Sequence, residues 1–359
     1  MPESLVYVLI ALLVIGGAAV AFLWRQERPT TAGPEDPAAA TRAPFALIYN
    51  PSKPHDWPAI LAQVTDCARA AGFDAPLVFE TTPEDPGNGQ AARALLAGAS
   101  VVIAAGGDGT VRAVAGALAG TGVPMAIIPS GTGNLFARNI DLPLDDPAAA
   151  ISIALGGTER AIDIGWLQDT DAAHDPREHP FLVVAGIGFD GEMVAETDDD
   201  LKAAIGWFAY GVGAVKGMLV PRMEVSVEID GAPRAVTGKA RTVMIANCGW
   251  LPAGFALQPD AEVDDGWLDL VTVDTRGGIL GWASVGSKLL LRTFGYRGAE
   301  SEVASTLEYH RGRSFRISTG YESWVQVDGD LVSETTQIAA RIDPGALLVR
   351  VPPPESLSS

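Results

Sequence analysis

The sequence predicts an α/β fold: an N-terminal domain built on a parallel sheet, then an antiparallel β-sandwich, the whole preceded by one transmembrane helix. Three observations carry this. From Phe45 to about Ala161, apolar runs of strand length alternate with stretches of helical spacing. Beyond Asp163-Ile164-Gly165-Trp166 the pattern changes to short strands broken by Gly, Pro and Asp. Leu5 to Trp24 holds no charged residue over about 20 positions, the length of a bilayer-crossing helix. The expected divisions are an anchor over 1–28, a linker over 29–43, and domains over 44–161 and 162–353.

The apolar N-terminal run also fits a cleaved signal peptide, with Ala19-Val20-Ala21 as a cleavage site, but no Lys or Arg precedes it, which favours an anchor. Arg25, Arg28 and Arg42 follow the run, so the positive-inside rule predicts a single-pass membrane protein with its C-terminal domains in the cytoplasm. The Pro- and Ala-rich stretch from Pro29 to Pro44 reads as a linker.

Within the first domain, Phe45 to Tyr49 is a strand that ends in Asn50-Pro51-Ser52-Lys53, and Ile60 to Ala71 is a helix. Pro76 to Phe79 is a second strand running into Glu80-Thr81-Thr82-Pro83, and Gln90 to Ala97 a second helix. Val101-Val102-Ile103 opens a third strand that breaks into Gly106-Gly107-Asp108-Gly109-Thr110 before helical spacing resumes from Val111 to Ala119. Met125 to Ile128 is a fourth, ending in Pro129-Ser130-Gly131-Thr132-Gly133-Asn134 and leading into Leu135 to Arg138. Such an order places a ligand site at the carboxyl ends of the strands.

Both glycine stretches fall at such ends. Glycine lets backbone N–H groups approach an anion, and a helix N-terminus just beyond adds the favourable end of its dipole, so the pair suits phosphate. Neither stretch is a Walker A, since no Lys follows the glycines, nor a G-x-G-x-x-G fingerprint. Each taken alone also fits a tight strand-to-helix turn. Thr110 and Thr132 carry hydroxyls that can serve phosphate oxygens or water on Mg²⁺. Asp108 either acts at the site or caps the helix that follows it.

GGDGT followed about 20 residues later by PSGTGN resembles the catalytic domain of the diacylglycerol kinase family, bacterial lipid kinases similar to sphingosine and ceramide kinases. The resemblance runs from Ile48-Tyr49-Asn50-Pro51 to Val327-Asp328-Gly329-Asp330. It implies an ATP- and Mg²⁺-dependent kinase whose first domain is like that of NAD kinase and phosphofructokinase. It also implies that the backbone of Gly106, Gly107, Asp108, Gly109, Thr110, Val111 and Arg112 holds ATP phosphates. Asn50, Thr82 and Thr132, with Gly131, Gly133 and Asn134 of the second loop, would line the nucleotide. Many relatives carry an Asp after that Asn; here the residue is Leu135.

In the second part, strands are expected over Phe181–Ala185, Met223–Ile229, Ala240–Ala246, Leu268–Val273, Ser314–Ser318, Trp324–Val327 and Ala346–Val351. Three acidic clusters lie among them: Gly188-Phe189-Asp190-Gly191, Asp260 to Asp265, and Val327-Asp328-Gly329-Asp330. Each also fits a simple turn. Phosphoryl transfer to an alcohol needs a group that accepts the hydroxyl proton. In the family the matching motif is usually Asp-Gly-Glu and its acid is taken as the base, which points here to Asp328 or Asp330 without choosing between them. The second cluster resembles the family's structural Mg²⁺ site, with Glu262, Asp265 and the carbonyl of Trp267 as ligands.

The formal charge of −19 argues against nucleic acid as a partner. Cys67 and Cys248 are far apart and fit a reducing compartment. Two intervals, Asp200 to Glu224 and Asp274 to Glu300, lack acids between their ends and mix Lys and Arg with aromatic residues. Both fit docking on an anionic bilayer, and the first fits a buried helix better. The resemblance, with the expected anchor, implies a membrane lipid as substrate, and the bilayer and a second copy of the chain are candidate partners. Two rivals stand beside the lipid kinase: a soluble-substrate kinase of the NAD kinase type, and an inactive lipid-binding protein.

Overall fold

The computed structural model describes residues 44–353 apart from 54, 172–176, 190–220, 251–256, 258–260, 277–280, 282–283 and 290–304. Strand β1 (Ala46–Tyr49) is buried at every residue, as a strand covered on both faces must be. Helix α1 (Trp57–Ala70) starts where Asp56 accepts the Ala59 N–H at 3.1 Å and Pro58 fits the first turn. Its Trp57, Ile60, Val64 and Ala68 recur at helical spacing and form the buried face. Then come β2 (Leu77–Glu80), α2 (Asn88–Leu96), β3 (Val102–Gly106), α3 (Asp108–Leu118), β4 (Met125–Pro129), the single turn α4 (Leu135–Asn139) and α5 (Pro147–Gly156). The four strands pair in parallel in the order β2-β1-β3-β4.

The second part is antiparallel. It contains β5 (Thr158–Asp169), β6 (Glu178–Phe181), β7 (Val184–Phe189), β8 (Met223–Ile229), β9 (Val236–Ala240), β10 (Thr242–Ala246), β11 (Leu268–Thr275), β12 (Ser305–Gly312), β13 (Ser314–Val327) and β14 (Asp330–Val351). A core of Phe181, Ile187, Val225, Val243, Leu270, Phe315, Ile317, Val325 and Ile338 fills it.

Two strands join the parts into one sheet. The expected boundary between 161 and 162 falls inside β5, which pairs with β14 along most of its length. At its far end β14 returns to lie parallel to β4, with Val349 opposite Met125. Accordingly one hydrophobic cluster contains Ile48, Val102 and Phe136 together with Ile162, Val184, Met244 and Leu347.

Several strands differ from the sequence reading. Ser314–Ser318 and Trp324–Val327 belong to one strand, and Ala346–Val351 is the end of a 22-residue one. The run Phe181–Ala185 is broken after Phe181, because the N–H groups of Leu182, Val183 and Val184 turn to a side chain instead of a neighbouring strand.

The single-pass membrane localisation is corrected. Among the described residues no helix is long and apolar enough to cross a membrane, and the run 5–24 that prompted the expectation lies outside the described residues. Asp190, Gly191, Asp260 and most of the two acid-free intervals lie outside them as well.

Candidate active site

The two glycine loops meet backbone to backbone. A Cβ on Gly131 would lie 2.6 Å from the Gly107 Cα, closer than real atoms come, so the contact requires glycine there. Ser130 donates its N–H to the Gly106 carbonyl at 2.9 Å, and Asn134 closes the second loop on itself. The Asn134 Oδ1 accepts the Gly131 N–H at 3.0 Å, and its amide donates to the Gly131 carbonyl at 2.7 Å. This places Asn134 at φ +47°, a left-handed conformation that Asn tolerates better than most residues.

Asp108 links the loops from the other side. It makes no cap for its own helix, whose N-cap is Gly107 without a side-chain bond. Its Oδ1 instead accepts the N–H of Leu135, the first residue of α4, at 2.7 Å. Only the edge of the residue reaches solvent; the carboxylate is enclosed, and this burial raises its pKa to about 6 against the pull of the α4 amides. The nearby charge of Asp328 pushes in the same direction.

Asp328 and Asp330 flank the β13–β14 turn and have different surroundings. Asp328, at φ +48°, accepts the Leu182 N–H on Oδ2 and those of Val183 and Val184 on Oδ1, each at 2.9 Å. Burial raises its pKa, while Arg112 and these three amides oppose the shift. Asp330 is mostly exposed, and its Oδ2 pairs with Arg112 at 2.6 Å. The same oxygen would be 3.5 Å from a Cβ on Gly109, so Asp330 stands at the mouth of the first glycine loop. Arg112 also donates to the Val327 carbonyl, which places its guanidinium across from α3 to the turn.

The other expected residues are spread around this centre. Asn50 ends β1 and folds its side chain onto Ser52, whose N–H and hydroxyl it accepts at 3.0 and 2.7 Å. Thr82 is exposed after β2, where its hydroxyl accepts the Asp85 N–H. Thr110 and Val111 are buried, and the Thr110 side chain, hydroxyl included, fills the space beside Gly106. Thr132 is exposed at the tip of the second loop, and Gly133 lies against the Asp108 carboxylate.

The expected metal ligands are not gathered as a free donor set. Asp265 receives the Trp267 N–H on Oδ1 and Arg311 on Oδ2, and Glu262 is exposed. The neighbouring Asp264 is held by Arg160 through two bonds of 2.7 Å. Among the described residues no group of three or more His, Cys, Asp or Glu side chains is placed to hold a metal ion.

Two features were missed in the sequence. Asp163 is buried and accepts the Gly266 N–H at 2.6 Å and the Gly345 N–H at 2.7 Å, tying the 262–267 turn to β14. Its only sequence signal is an acid between Ile162 and Ile164 of β5. Lys53 lies near Gly107, which no local spacing foretells.

Residues 44–167 match the diacylglycerol kinase catalytic domain, and residues 183–351 match the YegS C-terminal NAD kinase beta sandwich-like domain. A probable lipid kinase YegS-like protein of Pseudomonas aeruginosa is 32% identical over 268 residues, 72% of this chain and 79% of that one. A diacylglycerol kinase of Bacillus subtilis is 27% identical over 79% of this chain and 88% of its own. An uncharacterized protein of Synechocystis is 31% identical over 71% of this chain, which spans 55% of its length. The crystal structure of a diacylglycerol kinase from Bacillus anthracis superposes with a TM-score of 0.62 at 22% identity, covering 87% of this chain and 98% of that one, and shows a common fold. The paired glycine loops, the β13–β14 turn facing them and these matches agree, and the chain belongs to the diacylglycerol kinase family of lipid kinases.

Proposed function

We propose that the chain transfers the γ-phosphoryl group of ATP to a hydroxyl of a membrane lipid, diacylglycerol or a close relative. The observation that carries this is the meeting of Asp330 with the mouth of the first glycine loop, which places a solvent-accessible carboxylate beside a phosphate cradle. The cradle fits a nucleotide phosphate: α3 points its N-terminus at the loop, and the Gly107–Gly131 contact keeps side chains out. The kinase family's use of ATP and a divalent ion agrees with it. Mg²⁺ bound to the nucleotide supplies charge neutralisation at the phosphates.

The roles of the chain's own residues follow from their contacts. Asp330 accepts the proton of the attacking hydroxyl as the new O–P bond forms and the bond to the β-phosphate oxygen breaks. Arg112 aims that carboxylate through their pairing at 2.6 Å. Asp328, with both oxygens occupied by main-chain N–H groups, fixes the turn that carries Asp330. The Glu-to-Asp change at the family's last motif position shortens the reach by one methylene, and Arg112 bonded to both Val327 and Asp330 holds the shorter acid in place.

The test is transfer of labelled γ-phosphate into mixed micelles containing diacylglycerol, ceramide, a sphingoid base or monoacylglycerol, with NAD in a parallel reaction. Labelled lipid supports the reading. Label in NAD alone overturns it in favour of a soluble-substrate kinase, and ATP binding without transfer points to an inactive lipid-binding protein.

A further inference from the structure

A glycine cradle with no lysine of its own needs positive charge from elsewhere when it holds several phosphates. The turn after β1 supplies a candidate. Its backbone is fixed at several points: Lys53 donates its N–H to the Asn50 carbonyl at 3.3 Å, and its own carbonyl accepts the His55 N–H at 2.8 Å and the Trp57 indole N–H at 3.2 Å. Trp57 is buried against Tyr49, with ring centroids 4.9 Å apart, so that anchor belongs to the core. The turn is also fastened to the second loop, since His55 Nε2 lies 3.2 Å from the Ser130 carbonyl.

From this fixed base the Lys53 side chain crosses the place where the two loops touch. A Cβ on Gly107 would lie 3.6 Å from Lys53 Cε and 3.3 Å from the Gly131 Cα. The ammonium is one bond beyond Cε, within reach of a phosphate held where the loops meet. Among the described residues Lys53 forms no ion pair, whereas Arg112 is bonded to Asp330 and Val327 and Arg138 donates its Nε–H to the Gly133 carbonyl at 2.9 Å.

We infer that Lys53 is the phosphate-neutralising cation of this nucleotide site, contributing from the β1 turn the charge that a P-loop takes from the lysine after its glycines. The inference rests on the kinase reading above and assigns a residue that neither glycine motif contains. Lys53 contacts the polyphosphate and not the adenosine, so its removal acts on ATP and leaves a nucleoside unaffected.

The experiment measures binding of ATP and of adenosine by calorimetry to the full chain and to Lys53→Gln and Lys53→Arg, with melting curves as a check on folding. The expected result is a loss of about 10- to 100-fold in ATP affinity for Lys53→Gln. Adenosine binding should stay unchanged, and Lys53→Arg should recover most of the loss. Equal ATP affinity in wild type and Lys53→Gln overturns the inference, as does an equal loss for ATP and adenosine or a failure of Lys53→Arg to recover any affinity. A wild type that binds no ATP overturns both this inference and the kinase reading. Lys53-dependent ATP binding without lipid phosphorylation leaves the inference standing and removes only the lipid acceptor.

Discussion

The carboxylate of Asp108 accepts the N–H of Leu135 at 2.7 Å, so the acid of the first glycine loop caps the helix of the second. The loops are thereby joined three times: by the Gly107–Gly131 contact, by the Ser130 N–H on the Gly106 carbonyl, and by this bond. A substitution in either loop is expected to disturb both.

The pH dependence of stability follows from Asp108. Its pKa is about 6 in the fold against an ordinary 3.8, so the folded chain holds this proton more tightly than the unfolded chain does. The resulting stabilisation is fully present below about pH 3.8 and is lost as pH rises through about 6. At pH 8 the enclosed anion costs the fold up to about 3 kcal/mol. Asp108→Asn retains an oxygen for the Leu135 N–H without the charge. It should therefore melt above wild type at pH 8, with the difference shrinking toward pH 4, as followed by thermal denaturation across that range.

Gly131→Ala places a methyl 2.6 Å from backbone, where no flexible side chain can yield. The loops must separate, and ATP affinity should fall by at least about 10-fold while far-ultraviolet circular dichroism is retained. Gly156→Ala, which meets nothing within 4 Å near the end of α5, serves as the control. It should leave ATP binding unchanged and stabilise by up to about 1 kcal/mol.

Asp328 and Asp330 should separate in their effects. Asp328→Asn turns one of its two acceptor oxygens into a donor facing main-chain N–H groups, and should lower stability by about 2–3 kcal/mol in urea denaturation. Asp330→Asn removes the charge from the exposed partner of a pair and keeps an oxygen for Arg112, so it should change stability by less than about 1 kcal/mol. Its effect belongs to turnover.

Much of this arrangement was legible in the sequence because it is local. Each of the first four strands and the glycine stretches that end β3 and β4 show as apolar runs cut by glycine, and β8 spans the expected residues from Met223 to Ile229. What was hidden depends on contacts between distant segments. Phe181–Ala185 is uniformly apolar, and nothing local says that its amides belong to Asp328, more than 140 positions away. Ala261-Glu262 and its neighbours have the composition of a cation-binding turn, yet Asp265 is taken by Arg311 from β12. Lys53 was visible in the turn after β1, but its approach to Gly107 depends on how β1 and β3 pair.

Asp163 offers a further check on these long-range ties. Replacing it with Ala leaves the Gly266 and Gly345 amides without their acceptor in a buried site, and should cost about 2–5 kcal/mol. The loss should appear in the urea midpoint, and Asp163→Asn should recover part of it.

The most direct measurement is the single-turnover rate of labelled γ-phosphate transfer to diacylglycerol in mixed micelles, at saturating ATP, for wild type and Asp330→Asn. Asp330 as the proton acceptor predicts a fall of about 100-fold or more in that rate, with ATP affinity and melting temperature nearly unchanged. An Asp330→Asn variant that transfers phosphate to the lipid at the wild-type rate would contradict the account.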